Sequence, residues 1–209
     1  MKADSARAGR SPAFRRAEPD ARRRDLIEAC ARVLARAGAT GATVRAIAQE
    51  AGVSPGLVSH YFDGVDALVE ATYAQVDAMV TDTLARAVDA AGPAPRDRLD
   101  AFVTASFAAP IADRQLLGTW IAFWSLVAAR PGMARQHDDH YAGFRARLEG
   151  LLADCGVPQA ELRHAAIGVT ALVDGLWLEL CLSPDWFSAE EADAIARRFL
   201  DTLTSKTGR

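Results

Sequence analysis

The segment that most constrains the fold is Ala48–Phe62, which reads AQEAGVSPGLVSHYF. Gly52 separates two short segments whose apolar residues recur at helical spacing, and Ser54 followed by Pro55 provides a start signal for the second. A serine hydroxyl can accept a hydrogen bond from a free backbone N–H, and proline fits the first helical position because its missing N–H is not needed there. The segment therefore predicts a helix, a tight turn and a second helix, which is the outline of a helix-turn-helix.

The apolar residues around this turn predict a small helical core. Val53, Val58 and Phe62 fall where they would pack against a preceding helix, and Thr43 stands where the helix before the turn needs an N-cap. Leu57 has two interpretations, because it fits both the core and the outward surface. The outward positions are Pro55, Gly56, Ser59 and His60. Because the second helix of such a motif enters the DNA major groove, we expect these four residues to reach DNA.

The residues before the motif predict a tail and one helix. Residues 1–19 mix Arg, Ala, Ser, Gly and Pro without apolar periodicity, so we expect a flexible basic tail. From Asp20 onward the apolar residues recur at helical spacing, and Gly38 is suited to end that helix. Three consecutive arginines, Arg22–Arg24, are expected to precede this first helix. We expect them to lie on a DNA backbone or in the minor groove.

Charge is distributed unevenly along the chain. The formal net charge is −3, yet residues 1–62 carry eleven Lys and Arg against six Asp and Glu, while the remaining residues carry 13 against 21. A basic N-terminal third on an acidic body suits a chain of which only that third meets a polyanion. A basic tail that serves only solubility would give the same numbers, so charge alone does not decide between the two.

The rest of the chain predicts long helices and no strands. A helix should begin at Asp63, where Asp66 three residues later resembles a capping box, and should run to about residue 91. Further helices are expected at about 95–109, 112–129, 132–154, 158–182 and 189–204. The predicted fold class is all-α, with an N-terminal three-helix helix-turn-helix domain and a C-terminal helical bundle. We assign 1–19 to the tail, 20–65 to the first domain and 66–209 to the second.

Several classes of protein find no support in the sequence. No uninterrupted apolar run reaches about 18 residues, and the basic N-terminus lacks the apolar segment of a secretory signal, so we expect a cytoplasmic protein without a membrane span. Three separated cysteines suit reduced thiols. His137 and His140 flank two acids, but no further ligands follow at metal-site spacing, which predicts a solvated start of a helix. Neither a nucleophile–base arrangement nor a cofactor motif is present, which predicts a protein that is not an enzyme.

One long motif resembles a known family. The DNA-binding domain of TetR-family transcriptional repressors is similar to Thr43–Leu68, which reads TVRAIAQEAGVSPGLVSHYFDGVDAL. In the second half, WIAFW at Trp120–Trp124 and LVDGLWL at Leu172–Leu178 resemble the choline-responsive BetI branch of that family. The resemblance implies a homodimer held together by its last two helices, with two DNA-binding heads on ligand-binding bodies. It also implies that a ligand respaces the heads and releases a palindromic operator.

The resemblance also implies roles for residues of the motif. Thr43 and Tyr61 would contact phosphates, which orient the domain without reading sequence, although Tyr61 could instead pack on the first helix. Arg45 would reach a phosphate or a guanine edge. The residues that would face the groove are Pro55, Gly56, Leu57, Ser59 and His60. Family members commonly carry a phosphate-binding Lys three residues after the Phe that ends the second helix, and this chain has Val65 there.

Aromatic residues concentrate in the second half of the chain. Trp120 and Trp124 are four residues apart and share a helix face. Tryptophan faces attract quaternary ammonium groups, and Asp138, Asp139 or Asp174 would add a counter-charge. Together with the resemblance, this suggests choline or a related cation as the inducer. The predicted ligand-binding residues are Phe107, Trp120, Phe123, Trp124, Tyr141 and Trp177. An ordinary helical core contains the same kind of aromatic stripe, and a hydrophobic molecule is the alternative ligand.

The last two predicted helices suggest a dimer. Residues 158–182 are apolar around much of the helix circumference, so more than one partner is needed to cover them. Together with 189–204 they predict a four-helix interface across a two-fold axis. Two other interpretations of the whole chain remain open: an all-α ligand-binding or adaptor protein without DNA affinity, suggested only by Val65, and an enzyme built on a helical bundle. Operator binding would separate them from a repressor.

Overall fold

Nine α-helices form the fold in the computed structural model, which describes residues 12–183 and 185–205 and the side chains from Pro19 onward. They are α1 (Pro12–Gly41), α2 (Val44–Glu50), α3 (Pro55–Tyr61), α4 (Gly64–Ala90), α5 (Pro95–Thr104), α6 (Arg114–Val127), α7 (Pro131–Asp154), α8 (Gln159–Leu182) and α9 (Ala189–Thr204). A 3-10 helix, Ala105–Phe107, follows α5. Because no strand occurs within the described residues, the predicted all-α fold class is confirmed.

The first helix begins earlier than the sequence predicts. α1 starts at Pro12, so residues 12–19, predicted as part of a flexible tail, are helical; residues 1–11 lie outside the described part of the chain. Alanine and arginine have high helix propensity, which a search for apolar periodicity does not register. The end of the helix was predicted better: Gly38 has φ 65° and ψ −173° and interrupts the helical conformation three residues before Gly41. The arginines Arg22–Arg24 therefore lie inside α1 and not ahead of it.

The first three helices and the first two turns of α4 form one unit, which we call the head; the remaining helices form the body. Leu26, Ile47, Val58 and Leu68 come from four different helices and are all completely buried. Side chains from separate helices that exclude water together stabilise the fold by about 1.5–3 kcal/mol each. The start of α4 therefore belongs to the core of the head, and the same helix continues into the body.

The predicted caps of two helices form only in part. Asp63 is at the N-cap position of α4, but its side chain makes no capping hydrogen bond, so the predicted capping box with Asp66 is wrong. A complete capping box occurs instead at α9, where Ser188 and Glu191 each bond the other's backbone. Residue types at the right spacing permit such a box, but backbone dihedrals at the N-cap decide whether it closes.

Head and body are joined where α6 packs closely on α1. A Cβ atom added to Gly118 would lie 3.1 Å from the backbone oxygen of Ala35, so only glycine allows this approach without displacement. Beside it, the Thr119 hydroxyl lies within hydrogen-bond distance of two backbone oxygens, that of Gln115 in α6 at 2.9 Å and that of Ala31 in α1 at 3.2 Å. The small residue and the interhelical hydrogen bond together place α6, which carries Trp120, directly against the long helix of the head.

The apolar helix α8 lies in the centre of the body and contacts α6, α7 and α9. By length and composition alone it is the one described helix that could cross a membrane. In the monomer, 39% of its most apolar 18-residue stretch is buried. The core helix of a folded bundle meets the same criteria. Its exposed apolar side chains are Ile167, Leu178 and Leu182, and Ile195 on α9 is also exposed.

Candidate DNA-binding surface and ligand cavity

The turn between α2 and α3 has the conformation that the sequence predicts. Gly52 has φ 66°, the left-handed region that favours glycine, and the backbone N–H of Val53 donates to the oxygen of Ala48 at 2.9 Å. Pro55 occupies the first turn of α3. Ser54 is at the N-cap position as predicted, but its hydroxyl makes no capping hydrogen bond, so that part of the prediction is wrong. The restart of the helix therefore depends on proline more than on the serine side chain.

Thr43 caps α2, which confirms its predicted structural position. Its Oγ1 accepts a hydrogen bond from the backbone N–H of Ala46 at 3.1 Å. A hydroxyl that accepts one hydrogen bond keeps its own hydrogen for donation. Because the residue is exposed at a helix N-terminus, that hydrogen is available to an anion outside the protein.

The candidate DNA-contacting residues differ in exposure. Leu57 and Tyr61 are half-buried, and the His60 ring contacts the edge of the Tyr61 ring with centroids 5.2 Å apart. Val58 between them is completely buried and anchors α3 to the head. The exposed members of the predicted set are Thr43, Arg45, Pro55, Gly56, Ser59 and His60. One side of α3 therefore packs into the core and the other side is free to meet a partner.

The Glu50 carboxylate links α2 to α1 through hydrogen bonds with two arginines. Glu50 at the end of α2 accepts hydrogen bonds from Arg32 at 2.7 Å and from Arg36 at 3.0 Å. These bonds from Arg32 and Arg36 lower the pKa of Glu50, so the carboxylate is ionised at neutral pH. The two arginines lie on successive turns of α1, and their shared partner holds α2 in one orientation on that helix.

Basic residues of α1 partly engage in contacts within the head. Arg22 pairs with Asp25 at 3.3 Å, and the Arg23 guanidinium lies 4.9 Å from the centre of the Phe62 ring. Phe62 ends α3, so Arg23 covers the end of the candidate recognition helix. Val65, which occupies the position where family members carry a lysine, is half-buried and packs against the head core.

The body contains an aromatic cluster centred on Trp120. Its ring lies 5.3 Å from Tyr73, 5.8 Å from Phe123, 5.1 Å from His140 and 6.1 Å from Trp177 between centroids. These residues come from α4, α6, α7 and α8, so four helices meet at this point. Aromatic pairs in this range of distances attract one another beyond the effect of burial.

A small cavity lies inside this cluster, and we call it the inner compartment. Its volume is about 20 Å³, and its wall includes Trp120, Tyr141, Asp174 and Trp177. That volume accommodates about one water molecule. The Trp177 indole donates to the backbone oxygen of Ser106 at 2.9 Å, which fixes the ring. Of the six predicted ligand-binding residues, Trp120, Tyr141 and Trp177 line this compartment.

The other three predicted residues are placed differently. Phe123 is completely buried behind Tyr73, with ring centroids 4.9 Å apart. Phe107 is buried beside a shallow, open groove between α4, α5 and α9. Trp124 is half-buried and outside the lining of the inner compartment, although its indole reaches the hydroxyl of Tyr141. The four-residue spacing from Trp120 thus places Trp124 on the same side of α6 but nearer its edge.

An acid faces the aromatic rings of the inner compartment. Tyr141 donates to Asp174 Oδ2 at 2.9 Å. Burial raises the pKa of Asp174 to about 6, opposed by the hydrogen bond from Tyr141 and by electrostatic interactions with His140 and Arg145. The carboxylate is the one of the three predicted acids that lines this compartment. A half-buried carboxylate among aromatic faces forms a favourable environment for a cation.

A larger cavity, the outer compartment, lies between α4, α5 and α7. Its volume is about 290 Å³, and its lining combines apolar Leu84, Phe102 and Phe144 with charged Asp77 and Arg147. His140 and Phe144 line both compartments. These two side chains therefore form the wall that divides the outer compartment from the inner one.

His140 and Asp77 are site residues that the sequence interpretation missed. The sequence suggests a solvated helix start at His140, but only 11% of its side chain is exposed and its Nδ1 hydrogen-bonds to Asp77 Oδ1. Asp77 stands beside the apolar stripe of α4, where a charged residue looks like part of an ordinary solvated face. No local pattern links the two, because they are brought together only by the packing of α7 on α4.

Several buried polar atoms around the cavity lack partners. Trp120 Nε1, Tyr73 Oη and His137 Nδ1 are buried and make no hydrogen bond within the described residues. Burial raises the pKa of the Tyr73 hydroxyl and lowers the pKa of His137, so both groups are neutral near pH 7. An unsatisfied buried polar group costs about 1–3 kcal/mol. Water or a bound polar molecule can supply the hydrogen bonds that such groups lack within the protein.

Comparisons with known proteins agree with the two-part architecture. Residues 26–72 match the family of bacterial regulatory proteins of the tetR family, and residues 95–205 match the C-terminal domain of BetI-type transcriptional repressors. The HTH-type transcriptional regulator BetI of Paraburkholderia phytofirmans is 37% identical over 184 residues, covering 87% of this chain and 93% of that protein.

Solved structures share the fold. A transcriptional regulator from Pseudomonas aeruginosa PAO1 has a TM-score of 0.82 at 42% identity and covers 93% of this chain and 95% of its own. A regulator from Saccharomonospora viridis, solved in complex with choline, has a TM-score of 0.78 at 19% identity and covers 87% of this chain and 96% of its own. This chain belongs to the TetR family of bacterial transcriptional regulators, which are not enzymes, and its C-terminal domain is of the BetI repressor type.

Proposed function

We propose that this repressor binds a palindromic operator as a homodimer in the bacterial cytoplasm and that choline or another quaternary ammonium compound releases it. The observation that carries the ligand part is the meeting of Trp120, Tyr141, Trp177 and Asp174 around one compartment. Aromatic faces and a carboxylate together recognise a quaternary ammonium group, whose nitrogen has no hydrogen to donate. The choline complex of the Saccharomonospora viridis regulator, which has the same fold, supports the same ligand class.

In the head, we assign DNA contacts to the exposed side of α2 and α3. Thr43 and Tyr61 would bind phosphates, and Arg45 a phosphate or a guanine edge. Ser59 and His60 are exposed and carry groups that can hydrogen-bond to base edges, so they would read the sequence. Pro55, Gly56 and Leu57 would approach the groove at the start of α3, where an apolar side chain can contact a thymine methyl.

Ligand entry requires movement in the body. The inner compartment holds about one water, which is too little for a trimethylammonium group. The outer compartment is larger and adjoins it across His140 and Phe144. The ligand would therefore enter through the outer compartment and separate these side chains. Trp120 Nε1 and Tyr73 Oη, which lack partners, are available to a ligand hydroxyl or to water that accompanies it.

The proposed dimer rests on the apolar surface of the last two helices. Ile167 and Leu178 of α8 and Ile195 of α9 are exposed in the monomer although they are large and apolar. A Cβ atom added to Gly168 would lie 3.5 Å from the Phe199 ring, so this ring of α9 packs beside the backbone of α8 and the two helices form one surface. A two-fold axis through this surface would bury the same residues on both subunits.

Isothermal titration calorimetry with choline tests the ligand assignment. We expect the parent protein to bind choline, and Asp174→Asn to bind it at least about tenfold more weakly at pH 7.5 because the counter-charge is removed while the shape is kept. Glu179→Gln, an exposed charge change on the same helix, is the matched control and should bind like the parent. A response to apolar drugs but not to choline would contradict the cation assignment.

Gel shift and sedimentation test the other two parts. We expect the protein to sediment as a dimer and Ile195→Glu to shift it toward monomer, since a charge would be buried at the interface. An operator selected from random DNA should read as an inverted repeat. Failure to select any sequence would favour the alternative of an all-α ligand-binding protein without DNA affinity.

A further inference from the structure

Polar contacts join α7 and its N-cap residue, Arg130, to α4 at three levels between the cavity and the head. The pairs increase in residue number along both helices, so the two segments run in the same direction and the contacts form one row. We call them the α4–α7 contacts, and they are His140–Asp77, Gln136–Glu70 and Arg130–Asp66. One end of the row is the wall of the ligand cavity, and the other end is the first turn of α4 in the head.

The contact at the cavity end places His140 inside an aromatic box. Its ring lies 5.1 Å from Trp120, 5.3 Å from Tyr141 and 6.2 Å from Tyr73 between centroids. Asp77 bonds Nδ1 from the α4 side. His140 thus occupies the space among aromatic faces, next to a carboxylate, that a quaternary ammonium group would need.

The contacts nearer the head are made to residues of α4 that lie in its first two turns. Gln136 Nε2 donates to the backbone oxygen of Glu70 at 3.3 Å. Arg130 Nη1 lies 2.7 Å from Asp66 Oδ1, close enough for an ion pair although not aligned as a hydrogen bond. Leu68, between these two α4 residues, is completely buried in the head core. A shift of α4 at this level therefore moves the head.

The start of α7 also approaches α4 closely. A Cβ atom on Gly132 would lie 1.9 Å from Glu70 Oε1, so the carboxylate end of the Glu70 side chain packs directly against the backbone of α7 at this glycine. Packed helices respond to a local displacement as units, because their interiors leave little free space to absorb it. Movement of α7 at His140 is therefore carried along the helix toward Gly132 and the head.

We propose that a cationic ligand displaces His140 from Asp77 and that the α4–α7 contacts pass this displacement to the head. This inference rests on the proposed function, since it deepens the account of how the ligand acts. His140 is then a positioning residue that sets two properties. It excludes ligands from the inner compartment until it is displaced, and it couples occupancy of that compartment to α4.

Operator and choline affinities of two variants test the coupling. Arg130→Met with Gln136→Met removes both contacts nearer the head without touching the cavity. We expect the choline Kd of this double variant to stay within about twofold of the parent value. Choline lowers operator affinity by a certain factor in the parent, and we expect that factor to be at least about fivefold smaller in the double variant. Asp77→Asn should lose at least about fivefold in operator affinity without any ligand, because the cavity-end contact is already weakened.

Arg135→Met is the matched control, since Arg135 is an exposed arginine of α7 outside the row. It should match the parent in both affinities, and circular dichroism should show all variants equally helical. If the double variant and Asp77→Asn behave like this control, the proposal is overturned. If the parent does not bind choline, the proposed ligand is wrong, and the ligand-free operator affinity of Asp77→Asn is then the test of the coupling. An operator affinity below that of the parent supports the coupling. An operator affinity equal to that of the parent overturns it.

Discussion

The head and the body present their candidate recognition residues in opposite ways. In the head, Ser59 and His60 are exposed on a helix whose other side is held by completely buried Val58. In the body, Trp120 and Trp177 are themselves 2% and 7% exposed and belong to the hydrophobic core. In the head, the residues that would bind DNA are therefore different from those that form the hydrophobic core. In the body, the same aromatic residues form the core and line the proposed ligand site.

This difference predicts how each region tolerates change. A substitution at an exposed position of the head should alter binding without altering stability. A substitution in the aromatic cluster removes buried contacts, so it should alter stability and ligand binding together. Substitutions in both regions test the comparison, and the largest effect is expected in the body.

The largest effect is expected for Trp120→Ala. Truncation of a fully buried Trp leaves a cavity and should lower the free energy of unfolding by about 3–5 kcal/mol. Denaturant unfolding followed by circular dichroism measures this loss. Trp186→Ala is the control, because Trp186 is 90% exposed and its removal should change stability by less than about 0.5 kcal/mol. Equal stability of the two variants would contradict the conclusion that Trp120 is part of the stabilising core.

The next effect is expected at His60 in the head. His60→Ala should weaken binding to the selected operator by about 1–3 kcal/mol and relax the base preference at one position of each half-site. The unfolding midpoint should stay that of the parent, because the side chain is exposed. Arg45→Ala should weaken binding to all sequences alike if Arg45 holds a phosphate. Unchanged operator preference in His60→Ala would remove His60 from the reading residues.

A smaller effect concerns the pH dependence of choline binding. The pKa of Asp174 is raised to about 6 by burial, so the carboxylate is mostly protonated at pH 5 and mostly ionised at pH 7. If the ionised form binds the cation, choline affinity should rise roughly tenfold between pH 5 and pH 7 and then level off. Calorimetry across this range measures it, and Asp174→Asn should show no such rise.

The same pKa has a consequence for the ligand-free protein. Because the folded pKa of Asp174 lies above its ordinary value of 3.8, protonation favours the folded state. This contribution is fully present below about pH 4 and is lost as the pH rises through about 6. Asp174→Asn should therefore flatten the pH dependence of stability in that window. A parent-like dependence in the variant would show that another group is responsible.

The smallest effect is expected for Val65→Lys, which restores the residue type common in the family. Val65 is half-buried at the start of α4, so a lysine there can extend its ammonium to solvent. One added phosphate contact should make the slope of log affinity against log salt more negative by about one. Operator titrations at several salt concentrations provide the measurement. An unchanged slope would mean that this position faces away from the DNA.

Local patterns predicted the head well. Gly52 has the positive φ expected for a glycine in a tight turn between two helices, Thr43 caps α2, and Pro55 begins α3. Each of these depends on a few neighbouring residues. Where the prediction failed, at the side chains of Ser54 and Asp63, the residue type was suitable but the backbone geometry did not close the hydrogen bond.

The body was predictable only in outline. Apolar spacing located its helices to within a few residues and marked the aromatic residues, but it did not distinguish Trp120, which lines the inner compartment, from Trp124, which does not. Rotation of α6 against α7 and α8 decides that difference. This rotation depends on contacts such as Gly118 on Ala35, which lie 83 positions apart and leave no pattern in either segment.

The sequence by itself determined the all-α class, the helix-turn-helix and which residues of α3 face outward, because helix periodicity, caps and turns are encoded within a few residues of one another. Only the tertiary structure decided that His140 and Asp77 meet at a cavity wall, that Asp174 is the acid beside the aromatic rings, and that polar contacts connect this cavity to the head. The residues joined by these polar contacts are separated by up to 66 positions, and their meeting depends on how whole helices pack, to which every buried side chain contributes.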